Sequence, residues 1–267
     1  MSGESKLTSA LLRTTDEVEP GQNTAAGLLA VSDLLRSQSL LARRFTDPAL
    51  RTAGRQAVAA KVFTGKVETA ALQVLQAVVA EPYNSGAELC DALDDAAVRL
   101  LWRRAAGDSA WVRDDLARLI VAVEGNAELA TALNEQSYPV NARIALSARL
   151  LGAKANETSK ALAELAITRQ ARGFVRALQH YLDIGADLRN ALRATITTAI
   201  PLDEPRLAQL VAQLRRIYGA EIDPLLKIDS QVIGGVRAEI AGEVIDGSMA
   251  TRVAEAKQEI GQQGILV

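Results

Sequence analysis

Residues 232–253 read VIGGVRAEIAGEVIDGSMATRV, and the reading of this stretch decides the fold of the chain's end. Gly234 and Gly235 stand where a strand begins, and paired glycines allow positive φ or close approach of a neighbouring backbone. Val236, Ala238 and Ile240 then alternate with Arg237 and Glu239, the period-2 pattern of a strand with one buried face. Ala241-Gly242 turns the chain, and Val244-Ile245 supplies the returning strand of a short hairpin. Asp246-Gly247-Ser248 ends that strand and offers a polar cap to a helix, in which Met249, Val253, Ala256 and Ile260 share one face. Glycine runs that cradle phosphate pass from a strand directly into a helix N-terminus, with Lys or Ser/Thr placed on the phosphates. These glycines open a hairpin instead, so their expected role is structural.

Upstream, the alternation recurs. Leu192, Ala194, Ile196, Thr198 and Ile200 face one way, against Arg193, Thr195, Thr197 and Ala199, which describes a strand. Asp203 caps a helix whose apolar stripe is Leu207, Leu210, Val211, Leu214 and Ile217, and Gly219 stops it. A second strand covers 222–229, where Pro224 points to a sheet edge or a strand start. With the hairpin and final helix, a β-α-β-β-β-α unit is expected from about Ala191 onward.

Everything before it has helical period. Hydrophobic residues make up 49% of the 267 but aromatics only 3%, so the bulk is Ala, Leu, Val and Ile, the composition of packed helices. The expected fold class is α+β, mostly α. Breaks fall at Glu19-Pro20-Gly21, at Asp47-Pro48 (with Pro48 in the first turn of the next helix), at Gly65-Lys66 and at residues 82–86. The second half repeats the first. At an offset of 88, Leu28 meets Leu116, Val31 meets Leu119, Phe45 meets Leu133 and Val62 meets Leu150. Beyond Lys66 a small insertion is expected, because Leu72 and Leu75 align better with Leu162 and Leu165. The expected organisation is a first helical bundle, 1–105; a related second bundle, 106–190; and the C-terminal unit, 191–267.

A net charge of −2 carries no basic footprint for nucleic acid. No apolar run is long enough to span a bilayer, and residues 1–9, MSGESKLTS, resemble neither a secretion signal nor an import peptide. Cys90 is the single cysteine, which fits a reducing compartment. Beside Leu89 on an amphipathic helix it reads as a small core residue, with no base to make it a nucleophile. His180, the single histidine, lacks the companions of a zinc site and reads as structural or surface. The pairs Asp94-Asp95 and Asp114-Asp115 read as solvated faces, since neighbouring helical positions do not face each other. Trp102 and Trp111 flank the junction between the two copies, where packing is the plain reading and a partner-binding anchor the alternative. No catalytic residues, cofactor or metal ligands emerge.

The C-terminal stretch resembles a specific family. The pattern D-x-x-x-I-G-G-[V/L], followed by G-[D/E]-V-I-D-G-[S/T] and an Arg, is similar to the C-terminal signature of the F-type ATP synthase delta subunit, the bacterial counterpart of the mitochondrial oligomycin-sensitivity-conferring protein. The matching residues are Asp229, Ile233, Gly234, Gly235, Val236, Gly242, Glu243, Val244, Ile245, Asp246, Gly247, Ser248 and Arg252. The resemblance is specific in 225–252, moderate across 155–218 and weak before that. An ordinary delta subunit has one bundle, and the extra copy looks like the enlarged actinobacterial form. Some members of that form carry a fused stalk subunit; with no membrane anchor before the first bundle, the fused arrangement is not expected here.

The resemblance implies a non-catalytic stator of the peripheral stalk, lying on the cytoplasmic face of the plasma membrane without inserting. It would bind N-terminal helices of alpha subunits through a bundle and hold the b-subunit stalk through the C-terminal unit. By the same analogy the alpha groove lies between the first and fifth helices of a bundle. In the first copy these carry Leu7 and Leu11, and Leu72, Leu75 and Val79, residues that could equally be ordinary core. The competing function is a stand-alone helical adaptor or regulatory protein-binding module.

Overall fold

A computed structural model describes residues 9–169, 173–189, 191–229, 232, 235–240 and 243–246. The described residues are mostly α, with one small sheet at the C-terminal end. The helices are α1 (Ser9–Glu17), α2 (Thr24–Ser37), α3 (Ser39–Thr46), α4 (Thr52–Phe63), α5 (Thr69–Ala80), α6 (Gly86–Arg104), α7 (Ser109–Glu124), α8 (Ala127–Asn134), α9 (Val140–Leu151), α10 (Glu157–Thr168) and α11 (Phe174–Leu188). Strand β1 (Ala191–Thr198), helix α12 (Glu204–Tyr218) and strands β2 (Glu221–Ile228), β3 (Val236–Ile240) and β4 (Glu243–Asp246) follow.

Helix starts at Ser39, Thr52, Thr69 and Gly86 recur 88 residues later at Ala127, Val140, Glu157 and Phe174. The offset therefore holds through α5 and α10, and the insertion expected near Leu72 is absent. Ala71, Val74, Leu75, Val78 and Val79 of α5 are buried, and so are Ser159, Leu162, Ala163, Ala166 and Ile167 at the same spacing in α10. Matching leucine to leucine misled the alignment, because buried Val74 stands where the later copy has Leu162. Pro48 also departs from expectation. It lies in a turn, and α4 begins only at Thr52.

Local chemistry explains the ends. Ser85 Oγ accepts from the Glu88 amide at 3.2 Å while Glu88 reaches back to the Asn84 amide at 2.8 Å, so α6 opens on a reciprocal cap. Gly65 and Gly152 take φ of 76° and 84° after α4 and α9, angles that a side chain would resist. Asp203 caps α12 through the Arg206 amide, and Gly219 ends it at φ 64°.

Helix α6 is the axis of the molecule. Its run 89–102 is buried except for Asp91, and a helix apolar on nearly every side belongs inside. It closes the first copy against α2 and packs against α10 and α11 of the second. Its second half, residues 97–104, occupies in the repeat the place that α1 occupies in the first copy. One continuous core consequently runs from Leu11 through both copies to Leu225.

The sheet has the order β2-β1-β3-β4, with β1 and β2 parallel and the remaining pairs antiparallel. Ala194, Ile196, Ile222, Ala238 and Ile240 form its own small core with Leu214 of α12. Leu225 points to the opposite face and joins the helical body. Pro224 lies on edge strand β2, as a residue without an amide proton requires. Two expectations fail at the margins. Ile200 is beyond the strand and 64% exposed, and Ile217 is 67% exposed, outside the stripe that packs on the sheet. The expected final helix lies outside the described residues.

Candidate protein-binding surfaces

The hairpin that organises the sequence forms the far side of the sheet. Gly235 has φ 99° immediately before β3, a conformation that Gly alone adopts without strain. In β4, Val244 pairs with Glu239 and Ile245 with Ala238, so the two apolar side chains face opposite ways, 50% and 38% exposed. Gly234, Gly242, Gly247, Ser248 and Arg252 lie outside the described residues.

The sheet's other side is fastened to the second copy by charge. Asp223 on β2, 4% exposed, pairs with Arg113 of α7 at 3.2 Å and Arg189 after α11 at 2.7 Å. Lys227 meets Glu124 at 2.9 Å, and Arg193 of β1 meets Asp183 at 2.9 Å. Each pair joins the sheet to a helix of the body, so their sum opposes rotation of one against the other. These residues were not foreseen; Asp223 and Lys227 alternate with apolar neighbours in the strand and look solvent-facing from sequence.

A second set of charges lies within and between the two copies, and it corrects the reading of the aspartate pairs. Asp94 and Asp95 are each 6% exposed. Asp94 accepts from Arg36 at 2.8 Å and lies 3.0 Å from Arg169 Nε, while Asp95 meets His180 Nε2 at 2.8 Å. Burial raises the Asp94 carboxyl above the ordinary carboxylate range, against the pull of Arg169, Ser32 and Arg36. Asp115, also 6% exposed, accepts from Ser159 Oγ at 2.8 Å and the Asn156 amide at 3.0 Å, and pairs with Arg118. Only Asp114 keeps a half-exposed side chain. The reading failed because α6 and α7 carry a further helix on the side that a single amphipathic helix would show to water.

His180 is thus structural, a bridge from α11 to α6. Cys90 is buried, and burial raises its thiol pKa. The tryptophans divide. Trp102 is 2% exposed, donates to the Tyr181 carbonyl at 2.8 Å and lies against Gly185. Trp111 is 69% exposed at the mouth of a groove of about 340 Å³ lined by Asp114, Arg118, Leu151 and Lys154.

Of the residues expected to meet alpha, Leu7 lies outside the described residues. Leu11, Leu75 and Val79 are at most 1% exposed and belong to the core, whereas Leu72 is half-buried. α1 packs directly on α5, so these helices do adjoin as the groove reading needs. Sequence reasoning also missed Arg55 and Arg143, buried at equivalent places in the two copies. Arg55 donates to the carbonyls of Val79 and Ala80 at 2.7 and 2.8 Å, and Arg143 to that of Leu133 at 3.5 Å. Their recurrence at the 88-residue offset was the available signal.

A helical body with one continuous core, tied to a small sheet by ion pairs that centre on buried Asp223 and presenting grooves and an apolar hairpin, is the build of a structural connector. Among the described residues no helix is long and apolar enough to cross a membrane, and no group of three or more His, Cys, Asp or Glu is placed to hold a metal. The chain belongs to the ATP synthase delta (OSCP) subunit family, whose model matches residues 103–260. It is a structural, peripheral-stalk subunit of the F-type ATP synthase, a membrane-associated complex. The ATP synthase subunit delta of Salinispora arenicola (strain CNS-205) is 34% identical over 243 residues, 90% of this chain and 89% of that protein. That of Frankia alni (strain DSM 45986 / CECT 9034 / ACN14a) is 31% identical over 275 residues, 97% and 99% of the two chains. An ATP synthase subunit b-delta from Mycobacterium sp. (strain KMS) is 30% identical over 259 residues, covering 95% of this chain but 58% of that longer one. Matches spanning both copies fit the enlarged form of the subunit.

Proposed function

We propose that this chain is a non-catalytic connector that holds the alpha/beta head to the b-subunit stalk and resists the torque of the rotor from the cytoplasmic face of the membrane. The observation that carries the proposal is the mechanical continuity of the molecule. One core passes through α6 into both copies, and Asp223 ties the sheet to two helices of the second. A torque-bearing link needs this stiffness and no chemistry. The same reading divides the chain into a first bundle (1–105), a second (106–190) and the C-terminal unit (191–267), with α6 packing against both bundles. Alpha N-terminal helices dock along α1 and α5, where Leu72 offers the half-exposed apolar side chain, and Leu11, Leu75 and Val79 support the groove from beneath. The b subunit meets the hairpin at Val244 and Ile245, and Gly234, Gly235, Gly242 and Gly247 shape that hairpin without touching a ligand.

Separate titrations test both ends. Leu72→Asp should weaken binding of an alpha N-terminal peptide while the melting curve and b binding stay unchanged. Val244→Asp with Ile245→Asp should do the reverse. Retention of both partners by both variants would overturn the assignment. Saturable nucleotide binding by the purified chain at micromolar concentration would overturn the non-catalytic reading.

A further inference from the structure

The two copies differ in kind where α3 and α6, or α8 and α11, begin to part. In the first copy a groove of about 480 Å³ opens there, floored by Leu35, Ala42, Ala87 and Cys90 and rimmed by Arg36 and Arg43. Leu40, 78% exposed, stands beside it on α3. The guanidinium groups of Arg43 and Arg44 are exposed and have no partner among the described residues. In the second copy the equivalent positions are changed in kind. Gly86 becomes Phe174, buried at 1%, and Ala87 becomes Val175, so side chains of the chain itself occupy the space. Arg36 becomes Glu124, which is engaged with Lys227 of the sheet, and Leu40, Arg43 and Arg44 become Glu128, Thr131 and Ala132.

We infer that the α3–α6 groove of the first copy is a docking site for an acidic amphipathic helix of another subunit. Both walls are helices whose backbone groups are already bonded within them, so an extended peptide would find no main-chain partners. A helix satisfies its own backbone and needs only an apolar floor for its stripe. The floor supplies that, and Arg43 on the rim, with exposed Arg44 next to it on α3, selects Asp or Glu flanking the stripe. The equivalent place in the second bundle is filled by Phe174, so the site is particular to the first bundle. This site is separate from the α1–α5 contact and stands or falls independently of it.

The test is site-specific photo-crosslinking in the intact, purified ATP synthase, with p-benzoylphenylalanine in place of Leu40 or Ala87, and in place of Glu128 as the second-copy control. The expected adduct maps to a segment of another subunit that carries acidic residues beside an apolar helical stripe. Arg43→Glu with Arg44→Glu should lower its yield by about fivefold, and Arg43→Gln alone by about twofold, at unchanged subunit content. The Glu128 position should not give that adduct. No adduct, an adduct to lipid, to a second copy or to a segment without acidic residues, or a yield indifferent to both arginine changes, would overturn the proposal.

Discussion

Where α2 crosses α5 in the first copy, Gly27 lies 3.5 Å from Ala71 by the position its Cβ would take, and the contact is small and apolar. Eighty-eight residues later the same crossing, α7 on α10, is made by Asp115 bonded to Ser159 at 2.8 Å. Elsewhere the exchange runs the other way, with buried Asp94 in the first copy and buried Leu182 in the second. Among the described buried charged residues, Arg55 and Arg143 alone keep both their type and their burial. Burial pattern and helix length thus persist while the chemistry of each contact changes. A buried position specifies volume and satisfied partners, and several residue pairs meet that specification. The copies have also diverged by what they adjoin: Asp94 and Asp95 of the first meet Arg169 and His180 of the second, and Arg113, Glu124, Asp183 and Arg189 of the second meet the sheet.

The sharpest way to break this comparison is at the shared helix. Trp102→Ala should cost about 3–5 kcal/mol and lower the urea midpoint of both copies in one transition. Two separated transitions would mean that the copies do not share a core. Next in size, Asp223→Ala should cost about 2–3 kcal/mol, below the usual loss for a broken buried pair because Arg113 and Arg189 are about 30% exposed. Limited proteolysis should then attack the sheet before the helices; simultaneous cleavage would count against the clamp.

The crossing itself predicts opposite signs. Asp115→Ala should destabilise by about 1–3 kcal/mol by stranding the Ser159 hydroxyl and the Asn156 amide. Gly27→Ala should stabilise by about 0.5–1 kcal/mol, since a Cβ there meets ordinary contact distances and lowers the entropy of the unfolded chain. Equal signs in urea denaturation would refute the contrast. The smallest effect is a pH dependence. The folded Asp94 carboxyl binds its proton more tightly than the unfolded one, so its contribution to stability falls as pH rises from the ordinary carboxylate range through the folded-state value. Asp94→Asn should therefore gain on the wild type over that window and run parallel to it above. A constant difference across the window would show that the ion pairs with Arg36 and Arg169 offset burial.

The strands, α12 with its Asp203 and Gly219 ends, and the C-terminal hairpin were legible because period and capping are local properties. So was the family, because the hairpin signature fixes residue types at fixed spacing. The absence of an insertion after Lys66 was not legible, since apolar identity is a poorer guide to register than burial, and Val74 and Leu162 differ in type while sharing a place. The candidate surfaces were legible only in part. Val244 and Ile245 come from the hairpin pattern, whereas the groove on α3 and α6 depends on two helices distant in sequence.

Sequence by itself determined the kind and order of the elements, helices before a small sheet, because backbone propensity and hydrophobic period act over a few residues. Tertiary structure alone decided which polar residues are inside. Asp94, Asp95, Asp115 and Asp223 resemble surface carboxylates in the chain, yet each is buried against an arginine, a histidine or a hydroxyl contributed from another element. A charge can be buried only where a partner arrives to offset its lost hydration. Those partners, some of them more than 80 residues away in sequence, are brought by the fold.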